Sequence, residues 1–86
     1  MTDGDKSDEA IAAFKANAER YPHSADVYDS LAEAYEKTGR LDLARRNYER
    51  AVQLGEKNGD PNLPVFRKNF ERAGKAVNGG SKAAGN

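Results

Sequence analysis

Apolar residues recur at spacings of three and four along most of the chain, which is the period of a helix with one buried face. The period breaks in three places, and this divides the chain into four predicted helices of an all-α domain. The predicted helices span residues 7–21, 25–38, 41–56 and 63–77. Residues 1–6 and 78–86 lack the period, so we expect flexible tails there, the second one rich in glycine.

Boundary residues indicate where these helices begin and end. Ser7 and Ser24 are typical N-caps, because a serine side chain can accept a hydrogen bond from the first helical turn. Pro22 disfavours helical geometry in the residue before it and ends the first helix. Gly39 suits the left-handed conformation of a helix C-cap. Only Gly39 and Arg40 separate the second and third helices, which predicts an antiparallel helical hairpin.

Each predicted helix has one apolar stripe, and together the stripes are expected to form the core of one small domain. The stripes consist of Ile11, Phe14 and Ala18; Tyr28, Leu31, Ala32 and Tyr35; Leu41, Ala44, Tyr48, Ala51, Val52 and Gly55; and Leu63, Phe66, Phe70, Ala73 and Val77.

Composition excludes several classes of function. The fourteen basic and fourteen acidic residues cancel, which argues against a nucleic-acid or membrane-surface binder. The absence of cysteine excludes disulfides, zinc–thiolate sites and thiol catalysis. No apolar run approaches the length of a membrane span, so we expect a soluble protein. Its compartment stays open, with the cytoplasm slightly favoured.

The chain also matches itself when it is shifted by about 34 residues. The first helix then falls on the third, and one further residue of shift places the second helix partly on the fourth. Corresponding pairs are Ala10 with Ala44, Phe14 with Tyr48, Tyr28 with Leu63, Leu31 with Phe66, and Tyr35 with Phe70.

One set of residues matches, in spacing and in residue type, the signature of a known protein family. The set is Pro22, Tyr28, Leu31, Ala32, Tyr35, Gly39, Ala44, Tyr48 and Ala51. In spacing and type it resembles the tetratricopeptide repeat family, in which paired antiparallel helices stack into a short right-handed superhelix. Asn17 and Glu56 depart from the family pattern, where a small apolar residue and a closing proline are expected. The resemblance implies one complete repeat, half a repeat before it and a capping helix after it.

The sequence lacks the residue motifs of common catalytic and phosphate-binding sites. His23 is the sole histidine, and a surface turn is its expected place, since catalysis needs further groups around it. The Gly79–Gly80 pair lacks the remainder of a phosphate loop, and no Ser-x-x-Lys or Gly-x-Ser-x-Gly occurs. We therefore expect no enzyme activity, no cofactor, and no catalytic or metal-binding residues.

Polar residues opposite the apolar stripe of the second helix are the candidate partner-binding surface. They are Asp26, Asp29, Ser30, Glu33 and Lys37. In the resembled family this helix lines the concave groove that holds peptides, and a subset grips a ligand carboxylate with Lys and Asn. Acidic residues at such positions imply a basic peptide instead. The alternative is an ordinary solvated helix face.

Three functions follow as hypotheses. The first is a non-catalytic module that binds a peptide or a partner protein. The second is a C-terminal accessory domain of a serine hydrolase of the beta-lactamase-like or esterase type, inactive alone, because "YDSLAEAY" followed by "NYERAVQLG" is similar to segments that trail such domains. The third is self-association into a homo-oligomer through the outer face of the first helix, which one repeat leaves uncovered.

Overall fold

Four helices account for nearly all of the backbone. The computed structural model describes the backbone of residues 2–85 and the side chains of residues 8–76. Its helices are α1 (Thr2–Arg20), α2 (Ala25–Lys37), α3 (Leu41–Asn58) and α4 (Leu63–Gly85). No strand occurs between residues 2 and 85. The radius of gyration is 13.4 Å, as in a compact chain, so the predicted all-α domain is confirmed.

Each helix packs mainly on the next one in the chain, α1 on α2, α2 on α3 and α3 on α4. The last pair illustrates the geometry. Gly55, near the end of α3, lies against Leu63 at the start of α4, whereas Arg45 near the start of α3 lies over the ring of Phe70. The two helices therefore run antiparallel, and α1 and α4 stand at opposite ends of the packing order.

The core consists of two apolar clusters. The larger contains Ile11, Ala18, Leu31, Ala32, Tyr35, Ala44, Tyr48 and Ala73, and the smaller contains Ala25, Ala51, Leu54 and Phe66. The half-buried Tyr28 packs against both clusters and joins them. No polar or charged residue is buried among the side chains of residues 8–76. Hydrophobic burial and close packing therefore hold these helices together.

Two of the predicted boundaries are confirmed in detail. Ser24 has extended backbone angles, and its Oγ accepts a hydrogen bond from the N–H of Val27 at 3.4 Å. Gly39 adopts a φ of 81°, which glycine reaches without the steric cost of a Cβ atom. These residues fix where α2 begins and where the chain turns into α3.

The terminal helices are longer than predicted. α1 begins at Thr2, so Ser7 lies inside the helix and is not its N-cap, and α4 continues to Gly85 through the stretch expected to be a tail. No proline occurs in the sequence before Pro22 to interrupt α1, and no proline follows Pro64 to end α4. The predicted core residue Val77 lies outside the described side chains.

The third helix also ends later than predicted, at Asn58 in place of Glu56. Gly59 has a φ of 65°, and its N–H donates to the Glu56 carbonyl. A left-handed glycine supplies the C-cap two residues further on than the expected turn. Gly55, which was expected on the apolar stripe, is buried against Leu63 and Phe66.

Candidate functional site

A groove runs between α1 and α2, and we call it the α1–α2 groove. It consists of two pockets of about 190 Å³ and about 120 Å³ that share Phe14 and Ser30. The described lining residues are Ala10, Phe14 and Asn17 of α1, and Asp26, Val27, Ser30, Glu33, Ala34, Lys37 and Thr38 of α2.

The helical period of α2 explains which side chains reach this groove. Asp26, Ser30, Glu33 and Lys37 follow one another at steps of four, three and four residues, so they form one stripe along the helix. The Ser24 cap sets the first turn and hence the direction of that stripe. Four of the five predicted partner-binding residues therefore line a single groove.

The groove has an apolar side and a charged side. Half-buried Phe14, Val27 and Ala34 pack against the larger core cluster and also line the groove. Asp26 and Glu33 are exposed, and neither forms an ion pair among residues 8–76. The groove can thus bury an apolar side chain next to two available carboxylates.

Lys37 makes the charge along the groove uneven. This exposed lysine lies at the C-terminal end of α2, together with Thr38, whereas Asp26 lies at the N-terminal end. Thr38 Oγ1 donates to the Tyr35 carbonyl at 2.9 Å, which uses its hydroxyl hydrogen within the helix end. One end of the groove is therefore acidic and the other is basic.

Asp29, the fifth predicted residue, has a different environment. It does not line the α1–α2 groove, because it lies on the side of α2 that faces α4. Asn69 Nδ2 of α4 donates to Asp29 Oδ1 at 3.0 Å. Burial raises the pKa of the Asp29 carboxyl above its ordinary value, and the hydrogen bond from Asn69 opposes that rise.

A second polar set, which we call the α2–α4 clamp, continues from Asp29 and Asn69 to Glu36, Tyr48 and Arg72. Arg72 grips Glu36 with two hydrogen bonds, from Nη2 to Oε1 at 2.8 Å and from Nε to Oε2 at 3.1 Å. A two-pronged contact of this kind is among the stronger polar interactions in proteins. It fastens α4 to α2, although the two helices are not neighbours in the chain.

Tyr48 ties α3 into the same clamp. Its ring is fully buried, and its hydroxyl donates to Glu36 Oε1 at 2.7 Å while accepting from Arg72 Nη2 at 3.2 Å. The hydrogen bonds from Arg72 hold the pKa of Glu36 below its ordinary value, and burial raises the pKa of Tyr48. The clamp therefore keeps Glu36 charged and satisfies the one polar atom of Tyr48.

Sequence reasoning missed the α2–α4 clamp. Glu36 is recognisable as lying at the edge of the apolar stripe of α2, and Arg72 as one of several charges on α4. Nothing in their spacing pairs them, since the contact spans three helices. Tyr48 gave a partial signal, because a buried tyrosine requires a partner for its hydroxyl.

A further depression of about 390 Å³ lies on α4, and its described lining consists of Pro64, Val65, Arg67, Lys68 and Glu71. Val65 is 52% exposed. Arg67 is engaged with Glu56 of α3 at 2.9 Å. All five lining residues belong to one helix, so the depression forms part of the outer face of α4.

The sole histidine and the potential metal ligands lie apart from one another in the described part of the chain. His23 is exposed in the turn between α1 and α2, as predicted, and its carbonyl accepts from Asn58 Nδ2 at 2.9 Å. Within residues 8–76 no three potential metal ligands come together. None of the described helices combines the length and apolar character that a membrane crossing requires.

Comparison with known proteins gives no matching family model, no matching curated protein and no matching solved structure. The functional proposal therefore rests on the geometry and charge of the α1–α2 groove.

Proposed function

We propose that this chain is a non-catalytic interaction module that binds a basic segment of a peptide or partner protein in the α1–α2 groove. One observation carries the proposal: Asp26 and Glu33 stand exposed beside the apolar lining formed by Phe14, Val27 and Ala34. Binding sites commonly combine an apolar surface with a few polar groups that fix orientation.

The chemistry of the groove defines the segment it would accept. An apolar side chain of the partner fills the pocket beside Phe14, and lysine or arginine residues on either side of it face Asp26 and Glu33. Exposed carboxylates of this kind act mainly on association rate and specificity. Burial of the apolar side chain then supplies most of the affinity.

We also propose that the helices are arranged as in tetratricopeptide repeats, with α2 and α3 as the complete pair in a short right-handed superhelical stack. Two features support this arrangement. Ala32 and Ala44 are both 0% exposed and allow the two backbones to approach closely, and Gly39 turns the chain between the helices. The half repeat α1 and the capping helix α4 then cover the two sides of this pair.

The proposal is tested with fluorescently labelled peptides in which a leucine is flanked by lysines or by arginines, with charge-inverted glutamate peptides as the comparison. The wild-type chain is expected to bind the basic peptides more tightly. The double substitution Asp26→Lys/Glu33→Lys should weaken this binding about tenfold, which corresponds to about 1.4 kcal/mol. Fluorescence anisotropy measures the change.

Two further variants separate groove binding from general charge effects. Ser30→Gln places a longer uncharged side chain at the point where the two pockets meet and should also weaken binding. Glu49→Lys changes an exposed carboxylate on α3, outside the groove, and should leave the affinity within about twofold. An equal loss of affinity in Glu49→Lys, or no loss of affinity in Asp26→Lys/Glu33→Lys, would contradict binding in the α1–α2 groove.

A further inference from the structure

The charged side chains of the α1–α2 groove occur in a fixed order along α2. Asp26 lies at the N-terminal end, Glu33 lies further along, and Lys37 lies at the C-terminal end. All three are exposed, and none forms an ion pair among residues 8–76. The order along the groove is therefore negative, negative, positive.

No other described charge of α1 or α2 lines the groove. On α2, Asp29 and Glu36 face α4, where they accept hydrogen bonds from its side chains. The described charged residues of α1 that line neither pocket are Asp8, Glu9, Lys15, Glu19 and Arg20. The α1 wall is built from the uncharged Ala10, Phe14 and Asn17, so it leaves the order of charges on α2 unchanged.

The spacing of these charges does not fit an extended ligand. At about 1.5 Å per residue, Lys37 lies about 6 Å from Glu33 and about 16.5 Å from Asp26 along the axis of α2. An extended peptide rises about 3.3 Å per residue, so its partners for Lys37 and Glu33 would be about two residues apart, and those for Lys37 and Asp26 about five. Because side chains of an extended chain alternate between two faces, it cannot present all three partners to the groove.

A helix that lies along α2 fits all three charges, because it has the same rise per residue. Its partners for Glu33 and Asp26 follow the partner for Lys37 after four and eleven residues, and these positions share one face. The same face serves the two pockets. Val27 lines the smaller pocket and Ala34 the larger, about 10.5 Å apart along α2, which is the spacing of apolar residues seven positions apart on the bound helix.

The charge order also selects a direction. In a helix antiparallel to α2, the acidic residue that meets Lys37 lies near the N-terminus and the basic residue that meets Asp26 lies near the C-terminus, which suits the dipole of the bound helix. The acidic residue also precedes the basic partner of Glu33 by four positions, the more favourable order for a pair within one helix. A parallel helix would reverse both relations.

We propose, on the basis of the proposed binding function of the groove, that its ligand is a short amphipathic helix of a partner protein that lies antiparallel to α2. From its N-terminus this helix carries an acidic residue and then two basic residues on one face, with two apolar residues seven positions apart beside them. The apolar residues enter the two pockets, and the three charges set the direction.

Two peptides of equal composition, with blocked ends, test the direction by fluorescence anisotropy in dilute buffer. The ordered peptide has glutamate at the first position, leucine at the fourth and eleventh, and lysine at the fifth and twelfth, among alanines and glutamines. The exchanged peptide has its first and twelfth residues swapped. The wild-type chain should bind the ordered peptide about tenfold more tightly, because the swap replaces two attractive charge pairs with two repulsive ones.

A swap of charges in the protein separates the groove from the helical tendency of the peptides. Asp26→Lys/Lys37→Glu keeps the net charge and should shift the preference about tenfold or more toward the exchanged peptide. Asp42→Lys/Lys57→Glu exchanges exposed charges at the two ends of α3 in the same way and should keep the wild-type preference. Circular dichroism verifies that both variants are helical.

A third peptide tests the conformation of the ligand. Proline at the sixth position of the ordered peptide, on the side away from the groove, breaks the helix and should abolish binding. Retained binding would indicate an extended ligand and overturn the proposal. Equal affinity for the ordered and exchanged peptides would overturn it as well, but would leave binding in the groove intact. If neither these peptides nor the lysine- and arginine-flanked ones bind, the proposed function fails together with it.

Discussion

Asp29 and Glu33 lie one turn apart on α2, yet their surroundings differ. Glu33 is exposed in the α1–α2 groove, whereas Asp29 is half-buried under Asn69 of α4. Glu36 lies about two turns beyond Asp29 on the same side of α2 and accepts two hydrogen bonds from Arg72. Burial and pairing thus divide the acidic residues of α2 into those that hold α4 and those that remain available to a partner.

Asp29 permits a titration test of this division. Replacing Asn69 with alanine removes the hydrogen bond that lowers the Asp29 pKa, so that pKa should rise further above its ordinary value. Carbon NMR of the Asp29 carboxyl measures the midpoint. As a control, Asn47→Ala removes an amide that, among residues 8–76, donates to the Leu43 carbonyl of its own helix, and it should leave the midpoint unchanged.

The same shift has a consequence for stability. Because the Asp29 pKa is raised in the folded chain, the folded state holds the proton more tightly than the unfolded state. The contribution of Asp29 to the free energy of unfolding therefore decreases as pH rises from the ordinary Asp value through the folded value. In Asn69→Ala this decrease should be larger, and a midpoint that falls would contradict the role assigned to the Asn69 amide.

The helix boundaries show which structural features can be predicted from residues within one or two helical turns. Ser24 and Gly39 act through hydrogen bonds and backbone angles within their own turns, so their roles could be predicted. Ser7 could not be judged in the same way, because a serine can cap a helix or lie inside it, and the residues before it also form helix. Gly59 was open to prediction as a left-handed cap, but the surrounding turn residues obscured it.

Contacts between helices explain which parts of the candidate site could not be predicted from the sequence. The stripe of Asp26, Ser30, Glu33 and Lys37 follows from the helical period alone, and the structure places it along one groove. The position of Asp29 depends on where Asn69 of α4 comes to lie, and such a contact across distant parts of the chain leaves no mark in local spacing. The α2–α4 clamp was missed for the same reason.

The space around Gly55 and Gly74 shows how closely α3 and α4 pack at two positions. A Cβ atom on Gly55 would lie 3.1 Å from side-chain atoms of both Leu63 and Phe66, whereas on Gly74 it would meet only Arg45 Nε at 3.9 Å. Gly74→Ala should therefore stabilise the chain by about 0.5–1 kcal/mol through helix propensity. Gly55→Leu should destabilise it by about 1–3 kcal/mol through overpacking.

Urea denaturation of both variants provides the free energies of unfolding. The Gly74 variant serves as the matched control, since it also replaces a helical glycine. If Gly55→Leu were as stable as the wild-type chain, the close contact between α3 and α4 would be absent in solution.

At the scale of the whole molecule, α2 is the central helix. Its apolar stripe packs on α3, one polar edge is fastened to α4 by the α2–α4 clamp, and the other edge forms the groove with α1. No polar residue is buried in the described core, so apolar packing there and the α2–α4 clamp at its edge together give the helices their relative positions. α1 supplies one wall of the groove, and a partner bound there would therefore also hold α1 against α2.

The location of a bound peptide tests the central claim most directly. We would titrate the isotopically labelled chain with a peptide of one leucine flanked by lysines, and follow the backbone amide signals by NMR. We expect saturable shifts at Phe14, Ser30 and Glu33, with little change at Phe66, a residue of α4 that is buried in the smaller core cluster. Shifts that centre on α4, or no saturable shift at all, would contradict it.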